Sequence, residues 1–152
     1  QMQKDAEFLN VDLDIYGSEG LADLVQALNL PLPALHNEPD HACLEYDWAW
    51  NDSDYDWHRR PTPEETIVAM LDVLERLDDE HRAIWNLCTT KSMSIGIMAG
   101  NSRNQENYKL ATTTLSRMAA LGIELDITLN SFSDEYYRDS EDDDSEDGDS
   151  LH

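Results

Sequence analysis

The sequence predicts an α+β fold: a single sheet of about four to five strands with helices packed on one face, as two β-α-β halves joined by a helix. Three observations predict it. Apolar residues alternate with period two in four separate runs, the pattern of strands with one buried and one open face. Between those runs apolar residues recur at helical spacing. Strand and helix signals also follow one another along only 152 residues, a length suited to one domain.

The first run, Phe8 to Tyr16, puts Leu9, Val11, Leu13 and Ile15 on one side and Phe8, Asn10, Asp12, Asp14 and Tyr16 on the other. Gly17 breaks it. Ser18 is placed to cap a helix whose stripe is Leu21, Leu24, Val25 and Leu28, and Pro31 and Pro33 end that helix. After a polar loop, Ala42, Leu44, Tyr46, Trp48 and Trp50 alternate with Cys43, Glu45, Asp47 and Ala49, which predicts a second strand with an aromatic inner row. Thr62-Pro63-Glu64-Glu65 has an N-cap, a first-turn proline and a capping-box glutamate in order. It opens a helix with stripe Ile67, Met70, Leu71, Leu74 and Leu77 to about Asp79. Ala83 to Leu87 fits a short strand or the trailing turn of that helix. Ser92 to Ala99 reads as a strand with Met93, Ile95, Ile97 and Ala99 on one face. A helix is expected from about Gln105 to Leu121, with Tyr108, Ala111, Leu115, Met118 and Ala119 inward and Gly122 as terminator. Ile123 to Leu129 closes the series, with Ile123, Leu125, Ile127 and Leu129 inward.

Residues 1–132 thus form one α+β domain. From 133 to 152 the chain is almost wholly Asp, Glu, Ser and Gly, too polar to bury a core, and is expected to be a disordered acidic tail.

Several of these features resemble a bacterial family of small α+β proteins of unknown function, some of which look like toxin-immunity proteins. They are Ile15-Tyr16-Gly17 ending the first strand, Leu30-Pro31 after the short helix, a Trp-containing strand, the Pro63-Glu64-Glu65 helix, and Leu121-Gly122 before the final strand. The resemblance covers about residues 8–130. It implies the fold and an inhibitor role, and it brings no catalytic residues. The acidic loop 51–56 and the tail depart from it.

Charge carries most of the functional information. Asp and Glu number 33 against 10 Lys and Arg, a net of −23. The stretch after Ser133 holds ten acids and one base, which leaves −14 for the rest. Such a field attracts basic partners and repels nucleic acid and anionic membranes. If the strands share one sheet, Asp12, Asp14, Glu45, Asp47, Glu124 and Asp126 fall on its open face, where like charges on adjacent strands repel. A second candidate is the loop with Asp52, Asp54, Tyr55, Asp56 and Trp57, which places aromatics beside carboxylates as in contacts with Arg-rich surfaces. Tyr46 and Trp48 are assigned to the core.

Familiar catalytic and cofactor patterns fail their tests. Asp52-x-Asp54-x-Asp56 opens like a calcium loop, but Trp57 stands where Gly is needed and Pro63 where Glu is needed. His36, His41 and Cys43 are close in sequence without an evident fourth zinc ligand. His58 and His81 read as surface or capping residues. Cys43 and Cys88 are expected to be reduced and buried. No cofactor or metal is expected, and no enzyme. Without an apolar run of ~20 residues or a signal-peptide pattern at the N-terminus, the expected setting is the cytoplasm, away from membranes. The expected function is an immunity-type inhibitor of a basic partner such as a toxin or nuclease, with no direct contact to nucleic acid. The alternatives are a DNA mimic acting on a nucleic-acid-binding or phage-defence protein, and a small-ligand or metal-dependent enzyme.

Overall fold

The computed structural model describes residues 3–17, 19–51, 54, 56 and 59–133. Ten elements follow along the chain: β1 (Glu7–Tyr16), α1 (Leu21–Ala27), β2 (Ala34–Glu38), β3 (His41–Glu45), α2 (Trp48–Asn51), α3 (Pro63–Glu75), α4 (Asp79–Leu87), β4 (Thr90–Met98), α5 (Thr112–Ala120) and β5 (Glu124–Asn130). The strands make one open sheet in the order β2-β3-β1-β4-β5, so the fold is α+β. Neighbours pair antiparallel except β4 and β5, which run parallel on either side of α5. The two β-α-β halves are there. The first closes on a hairpin, β2–β3, rather than on one strand, and three helices connect the halves.

Burial explains why these segments order themselves. Val11, Leu13 and Ile15 of β1, the central strand, are wholly buried, and Leu44, Met93 and Ile95 flank them on β3 and β4. The α1 stripe Leu21, Leu24 and Val25 and the α3 stripe Ile67, Met70, Leu71 and Leu74 cover that face. Trp85 of α4 seals one end, and its indole N–H donates to the Leu121 carbonyl at 3.0 Å. The Thr62 cap forms as its sequence dictates: the hydroxyl accepts from the Glu65 N–H at 3.1 Å.

Several expectations are corrected. The polar stretch after Pro33 is strand β2, and its residues are exposed because it lies at the sheet edge. The run Ala42–Trp50 is strand only to Glu45; the Asp47 carboxylate accepts from the Ala49 N–H at 3.0 Å and starts α2. Trp50 is therefore 56% exposed instead of forming part of an inner row. The expected cap Ser18 lies outside the described residues; the N-cap of α1 is Gly20, at φ 78°, without a side-chain cap. The helix from Thr62 stops at Glu75, and Asp78 caps a separate helix through the His81 N–H at 2.8 Å, which makes Ala83–Leu87 helical. The last helix spans only Thr112–Ala120, because residues 105–111 run as an irregular segment along which Tyr108 meets Phe8 at 6.3 Å. On α5 Thr114 and Met118 are buried and Leu115 is exposed. Of the predicted last inner row Ile123 is buried, but on β5 Ile127 is 66% and Leu129 68% exposed, because β5 is the end strand and α5 packs on α3. The acidic tail from residue 134 onward lies outside the described residues. Among the described residues no helix is long and apolar enough to cross a membrane.

Candidate functional site

The face of the sheet away from the helices gathers the acidic groups, and the strand register fixes their neighbours. Asp12 of β1 stands directly opposite Glu45 of β3, and Asp14 opposite Cys43. On the other side of β1, Asp12 and Asp14 face Ser94 and Ser92 of β4, which in turn face Asp126 and Glu124 of β5. Two rows therefore cross the sheet: Glu45–Asp12–Ser94–Asp126 and Cys43–Asp14–Ser92–Glu124. Asp126 is two strands, about 10 Å, from Asp12. Among the described residues the strands contain a single Lys or Arg, Lys91. It pairs with Ile15 on the helix side, where its ammonium reaches the Trp85 carbonyl at 3.2 Å.

Packing holds this acidic face under electrostatic stress. Partial burial raises the Asp12 carboxyl above its ordinary value, and the Asp14 charge adds to it. Burial likewise raises Glu45, followed by the charge of Asp12, against a hydrogen bond from Asn10 that pulls the other way. The Asn10 side-chain amide also donates to Asp12 at 3.0 Å. Asn10 lies over Gly96, where a Cβ would come within 2.7 Å of its Oδ1, so Gly96 leaves the room that lets this one neutral donor serve two carboxylates. Burial first and the surrounding acids next push the Cys43 thiol up to about 12. Burial also raises Cys88. Both cysteines are free, Cys88 buried and Cys43 only partly so. A protonated thiol is a poor nucleophile, so neither matches the low-pKa cysteine of a thiol catalyst.

At one corner of this face the rings cluster. Tyr16 stacks flat on His41, centroids 4.1 Å apart with planes 2° from parallel, and His36 meets His41 edge-on at 5.2 Å. His41 Nε2 lies 2.9 Å from Asp14 Oδ1, and His36 Nε2 lies 3.1 Å from Glu38 Oε1. The corner exists because β2 and β3 form a hairpin around Pro39-Asp40, with the Gly17 N–H bonded to the Asp40 carbonyl at 3.0 Å. At the opposite end, Glu45 and Asp47 reach a cleft of about 520 Å³ that is also lined by Phe8, Tyr46, Trp48 and Arg60. Tyr46 and Trp48 pack edge to face at 4.8 Å there; both are partly buried cleft walls, and Tyr46 also packs against the core. Arg60 is held by Glu7.

Of the residues expected on the open face, Asp12, Asp14, Glu45, Glu124 and Asp126 lie on it. Asp47 does not: it lies past the end of β3 and caps α2. In the loop, Asp54 and Asp56 are exposed, while Asp52, Tyr55 and Trp57 lie outside the described residues. His36 and His41 stood out in the sequence beside Cys43 as zinc ligands short of a fourth, whereas nothing there marked Asn10, Tyr16 or Glu38 for a site. Glu38-Pro39-Asp40-His41 carried the signal, since Pro-Asp is turn chemistry and a turn there brings both histidines to one hairpin. No known protein family, curated protein or solved structure matches the chain.

Proposed function

We propose that this protein is a binding protein, not an enzyme, and that it captures a basic protein surface on the open face of its sheet, as an immunity-type inhibitor does within the cytoplasm. The observation that carries this reading is the directly opposed Asp12–Glu45 pair, partly buried and, among the described residues, without a cation beside it on the sheet. Holding both carboxylates ionised costs stability. A guanidinium arriving from a partner reverses that cost, and the adjoining cleft with Tyr46 and Trp48 accepts its apolar stem. The outer row of Glu124 and Asp126 widens the negative surface and favours fast, salt-sensitive association.

The test is affinity capture from extracts of the source cell on the immobilised chain at ~0.05 M and ~0.5 M salt. The wild type is compared with Asp12→Asn/Glu45→Gln/Glu124→Gln/Asp126→Asn. A basic protein retained at low salt, released at high salt and lost by the neutralised face is the expected result. Identical capture by both chains sinks the proposal. Reversal of Asp52, Asp54 and Asp56 to Lys, in a separate chain, reports whether the loop shares in the contact. Duplex DNA added to the captured complex separates two modes: displacement identifies a DNA mimic, and persistence an inhibitor of another surface.

A further inference from the structure

We propose that the β2–β3 hairpin carries a metal site for a zinc-type transition-metal ion, with His36, Glu38 and His41 as its ligands. One ligand atom from each of the three lies within 4.8 Å of the others. The backbone sets them on one face: Glu38 pairs with His41 across the two-residue turn, and His36 precedes Glu38 by one pleat repeat. His41 is already oriented by its stack on Tyr16. His36 and Glu38 have side chains 47% and 56% exposed, free to turn inward toward His41. Zinc–ligand bonds of ~2.0–2.1 Å require the three atoms to close to about 3.4 Å, which rotation of those two side chains supplies. Two imidazoles with one carboxylate suit zinc and its neighbours, whereas calcium and magnesium seek oxygen ligands. Each imidazole now faces a carboxylate through Nε2, so the ion takes the place of a hydrogen-bonded proton and leaves the Asp14 carboxylate beside it. The net charge of −23 raises the local cation concentration.

The test is calorimetric titration of the full chain with zinc chloride at about 0.15 M salt, with magnesium in excess to occupy exposed carboxylates. One equivalent is expected to bind, with the ring resonances of His36 and His41 shifting together and those of His81 staying in place. Both His36→Ala and Glu38→Gln are expected to weaken binding more than about tenfold. The two side chains are exposed, so these variants keep the fold even if His41→Ala does not. Unchanged affinity in the His36→Ala/Glu38→Gln chain, or His36 and His41 resonances that do not move, overturns the site.

A different observation, the uncovered end strand, carries a second inference. We infer that β5 pairs antiparallel with β5 of a second copy, about a two-fold axis at Ile127. Among the described residues β5 has no strand on its outer side. Leu125, Ile127 and Leu129 share the helix-side face with their partners Met93, Ile95 and Ile97, yet they are exposed. The Asn130 carbonyl accepts from the Ala99 N–H at 2.8 Å on the β4 side, so the alternate residues Leu125, Ile127 and Leu129 turn their backbone groups outward. Centring on Ile127 pairs Leu125 with Leu129 and Ile127 with itself. On the other face it sets Glu124 opposite Asn130 and Asp126 opposite Thr128, so no acid meets an acid. Centring on Asp126 would oppose that carboxylate to its own copy. Mutual repulsion of two −23 chains makes the dimer salt-dependent.

Analytical ultracentrifugation of the full chain is expected to show dimer increasing with salt, and Ile127→Lys to remain monomeric. Ile127→Cys is expected to cross-link symmetrically on oxidation, since opposed hydrogen-bonded residues lie ~5.5 Å apart at Cα. A monomer at every salt concentration, or a dimer that Ile127→Lys leaves intact, overturns the pairing. Dimer formed only after removal of residues 134–152 does the same, because it gives the edge to the chain's own tail.

Discussion

The carboxyl groups of Asp12 and Glu45 bind protons more tightly in the fold than in the unfolded chain, since burial and their acidic neighbours raise both. A carboxyl raised by folding makes the native state the greater proton binder, so stability falls as pH rises from the ordinary carboxylate range through the raised values. Asp12→Asn removes half of the opposed pair and keeps a side-chain oxygen for Asn10. It is expected to stabilise the fold by a few tenths to about 1 kcal/mol at neutral pH, with the gain vanishing toward pH 4. Urea unfolding at both pH values checks this, and a loss of stability at neutral pH contradicts it. Asp5, Glu75 and Asp78 have the opposite sign. Hydrogen bonds from Ser102, Arg117 and His81 respectively lower them, and their contribution disappears as pH falls through those lowered values. A second residue-scale test is Gly100, where a Cβ would lie 2.4 Å from the Lys4 carbonyl oxygen and 2.5 Å from the Ala6 nitrogen. Backbone atoms cannot rotate away as a side chain does. Gly100→Ala is expected to cost more than about 1 kcal/mol and to break the Asn101 and Ser102 N–H bonds to Lys4, which amide exchange at those two positions reports. Of these residue-scale features the sequence exposed the polarity of Asp12 and Glu45 through their alternation. Their direct opposition depends on the β1–β3 register and was not readable from either strand alone.

At the scale of elements, the parts that could be read are those whose signals are local. The Thr62 cap, the apolar stripe of α3 and the alternation of β1 from Asn10 to Tyr16 each sit within a few residues, and each forms as expected. At the start of β1 a register shift between Phe8 and Asn10 instead packs Phe8, expected on the open face, against the core. Parts that depend on distant neighbours could not be read. β2 has no buried residue and so no hydrophobic pattern; it is a strand because β3 pairs with it. β5 alternates like a buried strand and is exposed because it is the end strand of the sheet and α5, which precedes it, packs on α3. That helix, α5, shows the same dependence at its start. Ala111 offers no side-chain cap, and Glu64 of α3 takes over, accepting from the Ala111 N–H at 3.0 Å and from the buried Thr114 hydroxyl at 2.7 Å. Farther along α5, Arg117 clamps Asp72 and Glu75 of the same helix α3. Glu64→Ala strands both donors and is expected to cost about 2 kcal/mol, whereas Glu64→Gln keeps one acceptor oxygen and costs about half as much. Denaturant midpoints for the two variants test the order. Equal stability of Glu64→Ala and wild type means that water caps α5 just as well.

On the scale of the whole molecule, the net charge acts on folding and on binding with opposite signs. Within the fold, −14 of the −23 belongs to residues before 134, and their mutual repulsion opposes compaction. Salt shortens the range of that repulsion from ~30 Å at 0.01 M to ~3 Å at 1 M, so the melting temperature is expected to rise with sodium chloride. Among the described residues few ion pairs oppose this trend: the Arg117 clamp and the exposed Arg59–Glu65 and Arg60–Glu7 contacts weaken with salt, but each exposed pair is worth only ~0.5 kcal/mol. Removing residues 134–152 takes away a net charge of −9 and is expected to flatten the salt dependence without abolishing it. Capture of a basic partner has the reverse dependence, because the same screening removes the attraction that steers association. One salt titration of stability and of binding therefore tests the role assigned to the charge. Stability rising while affinity falls means that the acidic surface is kept for a partner at the expense of the fold. Stability and affinity rising together would instead make the contact apolar, and the acidic face would be solvated surface and no more.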